Sequence, residues 1–313
     1  MTQLLQAMFQ GIVITAVFSY QQDAHKKYLW DKDTRLQPYT TDDLEILIAT
    51  MDREDLSFLE VMFSKPLEQI HANILIVNQN QDSKLVSKNP NIKVINDVGR
   101  GLSRSRNMGI KNMTGKLGWI LDDDCIILPD SIQSIVDAHN DIPSTIITFQ
   151  TEVLETGDPY WNYPKQPTFF QHQDLKLMEK VLSPEITFKK ELMTQEAVFD
   201  ERFGLGAQFE DSENLVFLSS LNKFDISGAF YPKMIVKHGQ HNSSDEPAAD
   251  RVIYARGALA AFLKRSVFFH AWKYAFFLLR KGLVKSPREL LRSKSLFQKG
   301  AESFQKSELL NNN

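Results

Sequence analysis

Three consecutive carboxylates give the sequence its clearest chemical signal. Asp122, Asp123 and Asp124 directly follow the apolar run 117–121, which is typical of a buried strand. Ligands of open α/β sheets bind at the carboxyl ends of strands, and adjacent carboxylates repel unless a cation or hydrogen-bond donors lie close to them. Mg²⁺ and Mn²⁺ prefer carboxylate oxygen and are often completed by substrate phosphates. The run therefore indicates a site for a divalent cation and a diphosphate; the alternative is a solvated acidic turn.

Two further segments contain side chains suited to the same chemistry. Residues 99–107 combine glycines and hydroxyls with three arginines at the start of an expected helix, and such a helix start offers N–H groups and cations to phosphate. The alternative is a solvated basic helix end. Residues 199–211 bring Glu210 and Asp211 to the start of another expected helix. These carboxylates either act as a general base or cap the helix, a contact worth about 0.5 to 2 kcal/mol.

Four segments together, residues 44–55, 74–82, 101–130 and 199–217, resemble the family 2 glycosyltransferases of the GT-A fold. The resemblance implies an inverting enzyme that transfers a sugar from a nucleotide-sugar donor and depends on Mn²⁺ or Mg²⁺. Inversion in one displacement needs a carboxylate that takes the acceptor's proton and a cation that receives the developing phosphate charge. The lack of a clear QxxRW-like motif favours transfer of one sugar per encounter over processive polymerisation.

The resemblance also implies roles for individual residues. Asp211 corresponds to the catalytic base, with Glu210 beside it. The implied metal ligands are Asp124, Asp122 and His238, and for His238 a structural role is the alternative. The implied donor contacts are Thr50, Asp52, Asn78, Arg106, Asn107, Asp122 and Asp123. Asn78 and Gln79 stand where many relatives have two aspartates that bind the nucleotide base, so the identity of the base stays open.

The elements that must position these residues appear as short apolar runs separated by helix-sized polar stretches. This spacing predicts βαβ units, and with the resemblance a Rossmann-like α/β fold whose mixed, mostly parallel sheet is flanked by helices. The predicted strands are residues 44–49, 74–77, 93–95, 117–121, 225–230 and 233–237. The predicted helices are residues 56–63, 101–112, 129–139 and 210–221. The aromatic loop 160–170 is expected either to border the substrate pocket or to pack for its own stability.

Composition places the chain among ordinary globular proteins. It has 313 residues, of which 42% are hydrophobic and 24% charged, and these values exclude a disordered or collagen-like chain. Its single cysteine, Cys125, excludes an internal disulfide and favours a reducing compartment, so we expect a cytoplasmic protein. Three regions are predicted. They are an N-terminal extension over residues 1–43, with a helix over 1–22, a GT-A catalytic domain over 44–245 and a basic amphipathic helical tail over 246–313.

The charge is divided unevenly along the chain. Residues 1–250 contain 23 lysines and arginines against 36 acidic residues, whereas residues 251–313 contain 13 against 3. Phe268, Trp272 and Phe276 are interspersed with these cations. The pattern is typical of a helix that lies on an anionic membrane surface; the alternative is a helix packed on the catalytic domain with a solvated basic face. Nucleic acid is not expected as a partner, because the aromatic residues cluster with aliphatic ones rather than on a β platform.

These observations predict an enzyme attached peripherally to the inner face of the cell membrane. No run of residues reaches the roughly 20 apolar residues of a membrane span. By resemblance, the acceptor is a glycan, or a lipid-linked glycan, of surface polysaccharide or glycoconjugate biosynthesis. One alternative is a Mg²⁺-dependent phosphotransferase with an aspartyl nucleophile, disfavoured by Ile126 two residues after Asp124. The other alternative is a catalytically silent subunit that binds a nucleotide sugar or a membrane.

Overall fold

The computed structural model describes residues 38–82, 84–170, 174–193, 197–224, 226–240 and 246–311. The helix predicted over residues 1–22, and most of the extension predicted over 1–43, lie outside these described residues. The strands are β1 (Leu44–Met51), β2 (Asn73–Gln79), β3 (Ile92–Asp97), β4 (Leu117–Asp122), β5 (Ile126–Ile127), β6 (Ile146–Val153), β7 (Thr168–Phe170), β8 (Ile186–Lys189) and β9 (Gly228–His238). The α-helices are α1 (Ser57–Phe63), α2 (Leu102–Asn112), α3 (Ser131–Asp141), α4 (Leu175–Met178), α5 (Glu213–Ser220), α6 (Asp250–Phe262), α7 (Val267–Arg280) and α8 (Pro287–Asn311).

The strands form one nine-stranded mixed sheet in the order β3-β2-β1-β4-β8-β6-β9-β5, with β7 paired to β9. The strands β3, β2, β1 and β4 are mutually parallel neighbours, whereas β8 runs antiparallel to both β4 and β6. The predicted α/β class with a mixed sheet flanked by helices is therefore confirmed. Because β1, β2 and β4 are parallel, their carboxyl ends lie at the same edge of the sheet.

Helices cover both faces of this sheet, which explains why its strands are continuous apolar runs rather than alternating ones. Ile46 and Ile48 of β1 belong to one core cluster, with side chains of α1 and α3. Leu47 belongs to the other cluster, with side chains of α5 and α6. Each face buries its alternate residues, as the period of two in a strand requires.

Three helices begin later in the chain than the sequence predicts, for a common physical reason. The residue before each helix has a positive φ: Gly101 at 120°, Asp130 at 61° and Ser212 at 71°. That backbone conformation belongs to turns and not to a right-handed helix. The predictions of helices beginning at 101, 129 and 210 are therefore wrong by one to three residues.

The two strands predicted over residues 225–230 and 233–237 are one strand, β9. The sequence suggested a break because Pro232 cannot donate a ladder hydrogen bond. The structure accommodates Pro232 where the register against β6 shifts between the Thr148–Phe230 and Gln150–Met234 pairs. Proline in a sheet is tolerated at such irregularities, so the strand continues to His238.

The predicted helical tail is confirmed, and it consists of three helices. Lys264, with a φ of 53°, separates α6 from α7, and Gly282, with a φ of 71°, separates α7 from α8. Helix α6 packs closely against α8, since a Cβ atom built at Gly257 would lie 1.9 Å from the Phe297 carbonyl oxygen. Side chains of α6 and α8 join the core beneath the sheet. Within the described ranges, none of the helices combines the length and the apolar character needed to cross a membrane.

Candidate active site

The parallel strands bring the predicted site residues to one edge of the sheet. Thr50 of β1 pairs with Asn78 of β2, and Ala49, the residue before Thr50, pairs with Asp122 of β4. Asp123 and Asp124 follow directly. Three of the segments that the sequence analysis singled out therefore meet at the carboxyl edge, where open α/β sheets bind ligands.

Asp123 is held by residues that follow β1. Its Oδ2 accepts a hydrogen bond of 2.5 Å from Thr50 Oγ1 and one of 2.7 Å from Arg53 Nε. Arg53 could not be predicted as a site residue, because a lone arginine in a polar turn has no distinguishing pattern. This contact fixes the carboxylate of Asp123 toward β1, so that Thr50, Arg53 and Asp123 form one polar group at the edge.

The side chain of Asn78 stabilises the turn after β1. Its side-chain amide donates to the Arg53 carbonyl oxygen at 2.9 Å and accepts from the Arg53 N–H at 3.2 Å, and the residue is fully buried. Asp52 lies in that turn with a φ of 55°, and its N–H donates to the Gln79 carbonyl oxygen at 3.0 Å. Asp52 is exposed at the site, whereas the amide of Asn78 is occupied by the turn.

Asp122 is tied to two other segments by a buried arginine. Arg106 of α2 donates to Asp122 Oδ1 at 3.0 Å and to Glu213 Oε1 of α5 at 3.1 Å, while Ser183 Oγ donates to Asp122 Oδ2 at 2.8 Å. The Arg106 side chain is 1% exposed. Burial opposes its charge, but the carboxylates of Asp122 and Glu213 outweigh that cost and raise the pKa of Arg106. Arg106 therefore joins the end of β4 to the start of α5.

Asn107, the neighbour of Arg106, holds the segment that leads to α5. Its side-chain oxygen accepts from the Phe199 N–H at 2.8 Å, and its amide donates to the Phe199 carbonyl oxygen at 2.9 Å. The same amide reaches Glu201 Oε1 at 3.1 Å. Arg106 and Asn107 of α2 were predicted to contact the donor. Their polar groups instead hold β4, α5 and the segment that leads to α5.

Asp124 and His238 come together as predicted for metal ligands. His238 Nε2 lies 3.5 Å from Asp124 Oδ1, and Cys125 joins them, since one ligand atom from each of the three residues lies within 4.8 Å of the others. The contact with Asp124 raises the pKa of His238 to about 9, and that with His238 lowers the pKa of Asp124. Burial and the neighbouring aspartates raise the pKa of the Cys125 thiol.

This group fits a divalent cation by its chemistry and its spacing. Carboxylate oxygen and imidazole nitrogen are ligands that Mn²⁺ accepts, and Mg²⁺ accepts the carboxylate. The Asp124 side chain is 66% exposed, so substrate phosphates and water can complete the coordination. Asp122 is not in the candidate metal group found among the described residues, because its carboxylate faces Arg106 and Ser183.

Asp211 lies in the turn before α5, and its surroundings come from the C-terminal helices. Its carboxylate Oδ2 is 2.6 Å from Arg256 Nε of α6 and accepts from Ser212 Oγ at 2.8 Å. The Asp211 side chain is 2% exposed. Arg251 of α6 donates to the carbonyl oxygen of Glu210 at 3.3 Å. These arginines could not be predicted as neighbours of Asp211, since they lie some forty residues further along the chain.

A buried carboxyl group lies beside the aspartate site. Glu185 accepts hydrogen bonds from the Tyr163 hydroxyl and, at 3.1 Å, from the Leu182 N–H. Burial raises the pKa of Glu185 to about 8. The turn at Ser183 that contacts Asp122 also carries Glu185. Glu185 therefore links Tyr163 of the aromatic loop to the turn whose Ser183 contacts Asp122. No sequence motif signals this role.

The aromatic loop reaches the metal-ligand group. Tyr160 lies edge-on to the His238 ring, with 6.3 Å between ring centroids, and its hydroxyl donates to the Gln240 carbonyl oxygen at 2.8 Å. Tyr163 stacks on Phe230 of β9 with centroids 5.8 Å apart. Tyr163 thus packs on the sheet, and Tyr160 lies beside His238, a predicted metal ligand.

Several solved structures are similar to this chain. A crystal structure of S. aureus TarS is 13% identical with a TM-score of 0.46, covering 70% of this chain and 39% of that one. The TarS 1-349 structure is 12% identical with a TM-score of 0.47, covering 84% of this chain and 73% of that one. Its complex with UDP-GlcNAc is 14% identical with a TM-score of 0.47, covering 70% and 66%. The chain thus spans about two fifths of the length of full TarS.

None of the curated proteins matches the chain. The model of a known family, glycosyl transferase family 2, matches residues 74–198. That segment contains β4, which ends at Asp122, the aspartates Asp123 and Asp124 after it, and α2 with its Arg106. It ends before Asp211 and His238, which the structure brings to the same region through Arg106 and Asp124. The family model thus supports, over residues 74–198, the family that the sequence motifs predicted.

Proposed function

We propose that this protein is an inverting, metal-dependent glycosyltransferase that moves one sugar from a nucleotide-sugar donor to a hydroxyl group of a glycan acceptor. The observation that carries the proposal is the contact network of Arg106. It joins Asp122, in the family 2 segment, to Glu213, two residues after Asp211. This network supports a single site for the aspartates suited to a metal–diphosphate group and the carboxylate suited to a base.

Asp211 is the proposed base. Inverting transfer requires one carboxylate that accepts the proton of the attacking acceptor hydroxyl. Ser212 and Arg256 both contact Oδ2, and they hold that oxygen in place. Glu210 stands beside it as a weaker candidate for the same role.

The aspartate edge is the proposed donor site. Asp124 and His238 would hold Mn²⁺ or Mg²⁺, with Asp122 close by. When bound, the cation supplies positive charge to the diphosphate that leaves the sugar. Thr50, Asp52 and Asp123 would border the nucleoside, with Asn78 shaping the turn that carries Asp52. Arg106 and Asn107 would act on the donor through the residues they position, because their polar groups face the protein.

Helix α7 is the proposed membrane-facing surface of residues 251–313. Phe268 and Phe276, 65% and 53% exposed, lie on one face with Trp272 and Leu279, at helical spacings of four, four and three. Exposed cations border this face at Lys264, Arg265, Lys273, Arg280, Lys281 and Lys285. An exposed aromatic stripe with a basic border is complementary to an anionic lipid surface. About 90° around the helix from this stripe, Ala271, Ala275 and Leu278 are buried against the protein.

This surface supports the rest of the proposal about the acceptor. An enzyme held on the inner face of the cell membrane would meet lipid-linked glycans there. We propose such a glycan, an intermediate of surface polysaccharide or glycoconjugate biosynthesis, as the acceptor. The packing alternative holds for α6 and α8, whose side chains enter the cores. The membrane proposal therefore rests on α7 alone.

The test is turnover by the full chain. UDP-GlcNAc, GDP-mannose, dTDP-rhamnose and a CMP-sugar are offered with Mn²⁺, and nucleotide release is measured for wild type, Asp211→Asn and the control Asp137→Asn on the exposed surface of α3. We expect one donor to be hydrolysed slowly, Asp211→Asn to lose about 100-fold or more of that rate, and Asp137→Asn to match wild type. Wild-type rates in Asp211→Asn would contradict the assignment of the base.

A catalytically silent subunit is the second candidate, and one observation favours it. The carboxylate of Asp211 is covered by Arg256 in this structure, an arrangement that would suit a protein in which Asp211 has only a structural role. Such a subunit would bind a nucleotide and metal without turning over any donor. Metal-dependent hydrolysis of any donor in the panel excludes it.

A further inference from the structure

The C-terminal helical unit, α6 to α8, contacts the candidate base directly. Arg256 of α6 places Nε 2.6 Å from Asp211 Oδ2, and its Nη1 lies 3.6 Å from Glu179 Oε1. Arg256 is a quarter exposed and Asp211 almost fully buried. The arginine therefore covers the carboxylate from the side of α6, while the exposed Glu179 holds the guanidinium from the other side.

The same helical unit holds the whole loop that ends at Asp211. Arg202 reaches Ser307 Oγ at 2.8 Å and Glu308 Oε1 at 2.7 Å, both on α8, and Gln208 reaches Ser303 at 2.8 Å. Phe203 and Phe209 of the loop pack against Phe304 of α8, and Phe209 against Tyr254 of α6. Helix α2 holds the other side of the loop through Ser103 Oγ, which donates to the Phe203 carbonyl oxygen at 2.6 Å.

Burying a carboxylate without a partner costs free energy. The contact with Arg256 offsets this cost and restricts the position of the Asp211 side chain. Arginine differs from lysine in presenting a rigid, planar set of donors. Ser212 donates to the same oxygen at 2.8 Å, so Oδ2 is held by donors from two sides. A base must be held close to its productive orientation, and a misplacement of about 1 Å costs about 100-fold in rate.

We propose that Arg256 is a positioning residue for Asp211, so that helix α6 completes the candidate active site. The inference rests on the proposed function, in which Asp211 is the base. It assigns to the basic C-terminal region a part in turnover that is separate from membrane attachment. Arg256 itself acts through Asp211 and takes no part in the chemistry.

The test compares three variants of the full chain: Arg256→Gln, Arg256→Lys and the control Arg288→Gln, an exposed arginine near the start of α8. Donor hydrolysis is measured with Mn²⁺ and the panel sugar that wild type turns over fastest. We expect Arg256→Gln to lose about 10- to 100-fold in kcat with the donor KM within about twofold of wild type. Arg256→Lys restores part of kcat, because an ammonium can still pair with Asp211, and Arg288→Gln matches wild type.

A stability cycle run alongside checks that the two side chains are coupled. Arg256→Gln should lower the Tm of wild type more than it lowers the Tm of Asp211→Asn, since contacting residues are non-additive. An unchanged or raised kcat in Arg256→Gln would overturn the inference, as would equal Tm losses in the two backgrounds. Failure of wild type to turn over any donor would overturn the proposed function, and with it this inference; that outcome is recognised from wild type alone.

Discussion

At the scale of single residues, the sequence predicted which positions belong to the site better than what each side chain touches. Asp124 and His238 meet as predicted, since a motif specifies residue types at a strand end. Arg106 instead faces the protein interior. Its partner Glu213 lies about a hundred residues further along the chain. No local sequence pattern predicts such a contact.

The raised pKa of Glu185 could not be predicted from the sequence, and it makes the stability of the protein depend on pH. Its pKa in the folded protein is raised to about 8 by burial, from an ordinary value of 4.5. Between these values the folded state holds a proton that the unfolded state releases. The stability that this proton contributes is complete below about pH 4.5 and is lost as the pH rises toward 8.

We therefore expect Glu185→Gln to change the pH dependence of stability. The glutamine side chain cannot ionise, so the free energy of unfolding of the variant, relative to wild type, should rise steadily from about pH 5 to about pH 8.5. Denaturant midpoints at a series of pH values measure this difference, with Glu54→Gln, an exposed glutamate, as the control. Wild-type and Glu185→Gln curves that run parallel across this range would contradict the role of Glu185.

At the scale of elements, the strands near the site could be predicted because both faces of the sheet are buried and their sequences are therefore continuously apolar. Helix starts could not, since Gly101, Asp130 and Ser212 adopt a positive φ and each lies in a sequence that would otherwise continue the helix. Pro232 likewise suggested a break in β9 that a register shift against β6 absorbs.

The crossing of α6 and α8 depends on two glycines. A Cβ atom at Gly257 would lie 1.9 Å from the Phe297 carbonyl oxygen, and one at Gly300 would lie 1.9 Å from the Tyr254 carbonyl oxygen. Gly257→Ala should force the helices apart and cost about 1 to 3 kcal/mol of stability. Thermal unfolding measures the loss. Gly239→Ala, where a Cβ meets only ordinary contacts, is the control, and equal Tm values for the two variants would contradict close packing at the crossing.

The membrane proposal makes a prediction about α7. Replacing Phe268 and Phe276 together by serine should abolish cosedimentation with phosphatidylserine-containing vesicles while leaving the Tm nearly unchanged, because both rings are exposed. Phe169→Ser serves as the control, since Phe169 is equally exposed, at 62%, but lies on β7. Binding by the double variant at the wild-type level would show that α7 does not face the lipid.

At the scale of the whole molecule, helices α6 and α8 share a hydrophobic core with the sheet. Ala255, Ala258 and Phe304 are buried in the core cluster that contains Phe203 and Phe209. Removing residues 251–313 would expose that core, so single substitutions on α7 separate attachment from folding where a deletion cannot. The sequence did not show which of these helices pack into the core, because a helix that packs on protein and one that packs on lipid can have the same pattern of small and aromatic residues.

The central claim is a metal-dependent nucleotide site at the carboxyl edge of the sheet. A thermal-shift panel of UDP, GDP, CMP and dTDP, each with and without Mn²⁺, tests it most directly, because a ligand that binds the native state raises its Tm. We expect one nucleoside diphosphate to raise the Tm of wild type only with Mn²⁺, and Asp124→Ala to lose that shift. No shift with any nucleotide, or an equal shift in Asp124→Ala, would contradict the claim.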